Sequence, residues 1–77
     1  MLYDIREFYE IVTFVFAAEG RSLYHAARCL DISVSEVAMR IRHLEDTLCV
    51  RFARLQDDAV ELTSKGESFY AAAKSLL

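Results

Sequence analysis

The chain has 77 residues, of which 55% are hydrophobic and 27% charged, and its net charge is −3. That length suits one small domain and is too short for a typical cofactor-binding α/β enzyme, while the apolar content argues against disorder. No proline and only two glycines, Gly20 and Gly66, point to helices rather than a many-stranded sheet. No apolar run approaches the ~18–20 residues of a membrane span, so no membrane association is expected. Met1-Leu2-Tyr3-Asp4 lacks the basic and apolar regions of a secretory signal. A cytoplasmic location is therefore expected, with Cys29 and Cys49 as reduced, mostly buried thiols. Their spacing suits no metal site, and no cofactor is expected.

The charge is unevenly spread. Residues 1–20 set Asp4, Glu7, Glu10 and Glu19 against Arg6. Residues 55–77 set Asp57, Asp58, Glu61 and Glu67 against Lys65 and Lys74. The middle is basic and its positive residues are all arginines: Arg21, Arg28, Arg40, Arg42, Arg51 and Arg54. Arginine's planar fork suits phosphate and base-edge contacts better than lysine does.

A first helix is expected from about Asp4 to Ala18, with Ile5, Phe8, Val12 and Val15 as its buried stripe. Tyr9, Ile11, Phe14 and Phe16 lie off that stripe, so the helix is apolar most of the way round and one protomer's core is not expected to cover it. Gly20 is a natural left-handed cap. Ser22 can cap a short second helix, Leu23 to Leu30. Asp31-Ile32-Ser33 makes a tight connection, and Ser33-Val34-Ser35-Glu36 has the capping-box pattern. A third helix follows, about Val34 to Cys49, with Val37, Ile41, Leu44 and Leu48 as a buried stripe against Leu23, Ala27, Leu30 and Phe8. Residues 51–63 read as a two-stranded hairpin turning at Asp57-Asp58. Thr63 or Ser64 caps a last helix, where Ser64-Lys65-Gly66-Glu67 again matches a capping box.

Two helices joined by about three residues, the second opening on a capping box and carrying arginines, make a helix-turn-helix signal, and the hairpin adds a wing. The outward face of the third helix should carry Ser35, Met39, Arg42 and Asp46, with His43 beside them and Ala38 and Arg40 on the flanks. Arg42 is the best candidate for a guanine edge, and Ala38 and Met39 can pack on thymine methyls. Ser22, Ser33 and Val34 stand at helix starts, where backbone amides favour phosphate. Arg54 and His43 are phosphate candidates. Each has a plainer alternative: Arg40 and Arg42 as surface arginines paired with Glu36, Glu45 or Asp46, the serines as caps only, and His25 and His43 as surface histidines. No catalytic Ser/His/Asp or Cys/His set and no Gly-rich phosphate loop stands out, so an enzyme is not expected.

Phe8, Ala18-Glu19-Gly20, Ser22 through Leu30, Ile32-Ser33, Ile41 through Glu45, Leu48, and Val60 through Gly66 form an ordered set along nearly the whole chain. In these residues the chain resembles the N-terminal winged helix-turn-helix domain of LysR-type transcriptional regulators. The resemblance implies a mainly α fold: a three-helix core, a small β-hairpin wing and a C-terminal dimerisation helix. Residues 1–62 would form the winged domain and 63–77 the start of a linker or dimerisation helix. The implied partner is double-stranded DNA, bound by a homodimer. The apolar surface of the first helix, Phe14 and Phe16 included, and of the last, Phe69, Tyr70, Ala73, Leu76 and Leu77, would face the partner. The chain departs from the family pattern at Val34, Ala38, Met39, Cys49, Phe52-Ala53-Arg54 and the acidic Asp57-Asp58. Those departures favour an alternative role, a protein-interaction module that pairs with or antagonises other LysR-type regulators and binds DNA only weakly itself.

Overall fold

The computed structural model describes residues 5–77, so the expected helix start at Asp4 and the reading of Met1–Asp4 lie outside the described residues. The element order is α1 (Ile5–Gly20), α2 (Leu23–Leu30), α3 (Val34–Leu48), β1 (Ala53–Gln56), β2 (Ala59–Leu62) and α4 (Ser64–Leu76). Both α2 and α3 begin where their capping serines dictate. Ser22 Oγ accepts the amide of His25 at 3.1 Å, and Ser33 Oγ accepts that of Glu36 at 3.0 Å. The capping box at α3 is half-made, because the Glu36 carboxylate turns to Arg40 Nε at 2.9 Å. At α4 the cap is Thr63, whose Oγ1 accepts the amide of Gly66 at 3.0 Å, so the expected box starting at Ser64 does not form.

Gly20 is not the left-handed cap. It is the last residue of α1, and Arg21 takes the positive φ of 54°. What requires glycine at position 20 is space: a Cβ there would sit 2.3 Å from the His25 ring. Asp31 closes α2 and Cys49 closes α3 in the same left-handed conformation, so α3 ends one residue earlier than expected.

The core forms where α1 crosses α2 and α3. Val37, Ile41 and Leu44 of α3 pack with Leu23, Ala26 and Ala27 of α2, as the spacing predicts. Leu48 does not; it is exposed at the end of α3, and Leu30 is only partly buried. The register of α1 also differs from expectation. Ile5 is 67% and Phe8 49% exposed, while Glu10, Thr13, Phe14, Ala17 and Ala18 join Val15 inside. A helix apolar on nearly every side gives its stripe no contrast, and the aromatic packing decides instead. Phe14 meets Phe52 and Phe69, each at 5.6 Å between ring centroids, and Phe52 stacks on Phe69 at 4.5 Å. Phe14 is thus fully buried within its own protomer and is removed from the expected partner surface; Ala73 is likewise buried against this core. Cys29 and Cys49 are both exposed, not buried.

The hairpin pairs antiparallel in the register Ala53–Leu62, Arg54–Glu61, Leu55–Val60 and Gln56–Ala59, with Asp57 left-handed in the turn. A two-stranded ribbon is marginal alone, and this one is tied at both flanks. On the α3 side, buried Glu45 Oε2 accepts the amides of Phe52 and Ala53 at 2.8 and 3.0 Å. On the α2 side, Ser22 bridges to Ala59, and the Asp58 carbonyl accepts the amide of Leu23 at 2.9 Å. Thr63 adds a tie to the segment before β1, donating its hydroxyl to the Arg51 carbonyl at 2.7 Å. Among the described residues no helix is long and apolar enough to cross a membrane.

Candidate nucleic-acid interface

The surface of α3 opposite its buried stripe is uncovered. Ser35, Met39, Arg42 and Asp46 are all exposed there, and Val34 is exposed beside the Ser33 cap; Ala38 is half-buried. This is the face the 3.6-residue period assigns outward.

Its two long edges differ. Toward the hairpin, Arg42 of α3 meets Arg51 and Arg54 around a shallow cleft of about 320 Å³ that Ala53 and Leu55 complete. Arg51 Nη1 lies 3.5 Å from Glu45 Oε1, a loose pairing between an exposed arginine and a buried acid. Among the described residues, Arg42 and Arg54 have no ion pair within 4 Å, although Arg54 stands opposite Glu61 in the ladder. Three guanidiniums on one cleft, none tightly neutralised, make a site for an anion with several oxygens.

Toward α1, Arg40 and His43 each make a contact with a residue of α1. Arg40 donates Nε to Glu36 and Nη1 to Thr13 Oγ1 at 3.3 Å, which lays its guanidinium across α1. This is the plainer alternative for Arg40, with the partner Glu36. His43 Nδ1 is 2.6 Å from Oε2 of buried Glu10. Arg40 and His43 therefore stand apart from the arginine cleft.

Ser22 is also occupied. Its hydroxyl donates to Asp58 Oδ2, and the amide of Tyr24 donates to Asp58 Oδ1 at 2.8 Å. The turn carboxylate caps the amino end of α2, where its negative charge complements the positive end of the helix dipole. Asp58 is thus an internal anion that answers donors expected to meet phosphate.

Sequence reasoning missed Arg51 and Glu10. Arg51 counts in the basic middle of the chain, but it joins Arg42 only because α3 ends at Leu48 and the chain doubles back. Glu10 lies on the Thr13–Phe14–Ala17 side of α1, so its burial follows once that register is known.

At the other end of the molecule, α1 and α4 flank an apolar groove of about 310 Å³ lined by Phe8, Ile11, Phe69, Ala72, Leu76 and Leu77, among others. Phe16, Phe69 and Tyr70 are partly buried, while Leu76 and Leu77 are exposed. Lys74 and Tyr70 of α4 both hydrogen-bond Glu19 of α1 beside this groove.

The profile described as "Bacterial regulatory helix-turn-helix protein, lysR family" matches residues 8–67. Relatives include the probable HTH-type transcriptional regulator SinR of Salmonella typhimurium, 38% identical over 63 residues, covering 82% of this chain and 20% of that protein. The HTH-type transcriptional regulator BudR of Raoultella terrigena is 39% identical over 64 residues, covering 83% of this chain and 22% of its own. The chain thus spans about a fifth of the length of these relatives. Among solved structures, a CbnR_DBD–DNA complex superposes with a TM-score of 0.83 at 26% identity, over 90% of this chain and 79% of that one. A BenM_DBD complex with catB site 1 DNA gives 0.80 at 28% identity, over 87% and 74%. A capped helix-turn-helix, a hairpin wing bound to both of its helices, and a profile match over most of the chain agree: this chain belongs to the LysR family of bacterial regulatory helix-turn-helix proteins.

Proposed function

We propose that the chain binds double-stranded DNA as the DNA-binding part of a transcriptional regulator, with α3 in a major groove. The observation that carries this reading is the convergence of Arg42, Arg51 and Arg54 at the edge of an uncovered α3 face, in a chain whose net charge is −3. A positive cleft so placed would hold the DNA backbone. Arg42 would reach a guanine edge from the cleft's α3 side, with Met39 and Ala38 against thymine methyls and Ser35 beside them. Ser33 and Val34 would bring the α3 amino end near a phosphate. DNA complexes of BenM_DBD and CbnR_DBD among the structural neighbours support the reading. It makes the chain a cytoplasmic binding module, not an enzyme.

Residues 63–77 would serve as the start of a dimerisation helix, and a homodimer would cover the apolar groove with Phe16, Phe69, Tyr70, Leu76 and Leu77. Sedimentation at micromolar concentration should then show a dimer that Leu76→Glu weakens. The exposed Leu76 and Leu77 also favour a second reading, pairing through the same groove with other LysR-type regulators.

The deciding experiment is fluorescence anisotropy with a panel of duplexes at several salt concentrations. Arg42→Ala should cost ~1–3 kcal/mol on the preferred site and relax preference there. Arg51→Ala and Arg54→Ala should weaken all duplexes alike and flatten the salt slope by ~1. No binding at low salt, with tight association to an intact LysR-type regulator, would replace the first reading by the second.

A further inference from the structure

On the α1 side of the α3 outer face lies a pocket of about 370 Å³. Its buried acid is Glu10, 3% exposed. Glu10 Oε2 is 2.6 Å from His43 Nδ1, while Oε1 has no hydrogen-bond partner among the described residues. An ionised Glu10 can only accept, and Nδ1 is then the donor of this contact. The His43 side chain is half exposed.

A buried carboxylate with one bare oxygen is costly, and an apolar residue would pack α1 against α3 without that cost. The acid must therefore be explained by what it does to His43. We propose that Glu10 is a positioning residue for DNA contact: it holds His43 with Nδ1 protonated, so that Nε2 donates to a backbone phosphate only when the imidazole is charged. The proposal rests on the DNA-binding reading above. A neutral ring held in this way turns a bare lone pair toward the phosphate oxygens and repels them. Protonation converts the same nitrogen into a charged donor. Binding should therefore tighten when the imidazole takes up its second proton. The charged and titratable neighbours are Arg6, Tyr9 and Glu10 from α1, and Glu36, Arg40 and Asp46 from α3. Glu36 is taken up by Arg40, which leaves Glu10 as the acid that grips His43.

The test uses the 77-residue chain in two measurements. Imidazole nitrogen NMR on the free protein at about pH 8 should show His43 as the Nδ1–H tautomer in the wild type and in Glu10→Gln, whose amide oxygen still accepts. In Glu10→Leu the Nε2–H form should dominate. Anisotropy with a mixed-sequence duplex should show wild-type binding about tenfold tighter at about pH 6 than at about pH 8. The log–log salt slope should steepen by about 0.9, the signature of one more phosphate contact. Glu10→Gln should keep this pH dependence, Glu10→Leu should show a smaller one because its neutral ring already donates Nε2–H to phosphate, and His43→Gln should lose it, with His25 unchanged in every variant. A role confined to stability would leave the pH dependence alike in all four proteins. An Nε2–H tautomer in the wild type, or an undiminished pH effect in Glu10→Leu, overturns the proposal and leaves DNA binding standing. No wild-type binding at low salt at either pH overturns the DNA-binding reading and this contact with it.

Discussion

Replacing Glu45 tests the tie between α3 and the hairpin most directly. One oxygen, Oε2, accepts both the Phe52 and the Ala53 amides, and all three residues are buried. Glu45→Ala strands two buried N–H groups at roughly 1–3 kcal/mol each. It also lifts the desolvation of a buried carboxylate, which offsets part of that, so a net loss of about 2–4 kcal/mol is expected. In a domain of this size 1 kcal/mol moves the melting temperature by about 4–8 °C, so melting should fall by roughly 8–32 °C. Glu45→Gln keeps a carbonyl oxygen where Oε2 sits and should cost less than about 1.5 kcal/mol. Arg51→Ala removes only the loose contact of an exposed arginine with Oε1 and should cost less than about 1 kcal/mol. Thermal and urea unfolding followed by circular dichroism measure all three. An alanine variant within about 0.5 kcal/mol of wild type, or a glutamine variant as costly as the alanine one, would refute the account of a shared acceptor.

Other outcomes follow from single contacts. Gly66→Ala would place a Cβ 1.9 Å from the Phe52 carbonyl oxygen, and because the obstacle is backbone it should cost at least about 3 kcal/mol in urea unfolding. Cys49→Gly relieves a left-handed residue at the end of α3 and should stabilise by about 0.5–1 kcal/mol, read as a raised urea midpoint. Hydrogen bonding to Lys74 holds the Glu19 carboxyl below its ordinary range, and hydrogen bonding to Glu19 holds the Lys74 ammonium above its own. The tie is therefore complete between the ordinary carboxylate and lysine ranges. It is lost in acid as pH falls through the lowered Glu19 value, and in base as pH rises through the raised Lys74 value. Tyr70 ring resonances should report both transitions, and Lys74→Met should remove the acid-side change attributed to this pairing.

The helix-turn-helix was legible because its signals are local. Ser22 and Ser33 cap through amides three residues on, and Val37, Ile41 and Leu44 repeat at helical spacing against the apolar side of α2. The register of α1 was not, because Ile5, Phe8, Phe14 and Phe16 compete on one short helix. The choice falls to Phe52 and Phe69, more than thirty residues away in the chain. The same limit governs the interface. The exposed Met39 and Arg42 follow from the α3 period. The contacts of Arg40 and His43 with α1 depend on Thr13 and Glu10, which only the packed α1 places beside them. Asp58 stands in the sequence as an acidic turn residue, yet its acceptors are filled by Ser22 and Tyr24 at the start of a helix that precedes it by more than thirty residues.

The double tethering of the hairpin bears on how a duplex would be recognised. Glu45 fastens one flank and the Ser22–Asp58 contacts fasten the other, so the distance from Arg42 to Arg54 is set within the protein. A loosely hinged wing could shift to follow the helix it meets; this one would transfer the adjustment to the nucleic acid. Any duplex that engages both arginines has to bring its own groove width and curvature to that spacing. The energy of doing so varies with base step, being low at flexible pyrimidine–purine steps and high in stiff tracts. Preference can then arise at base pairs that no side chain touches, through the elastic work of the DNA itself.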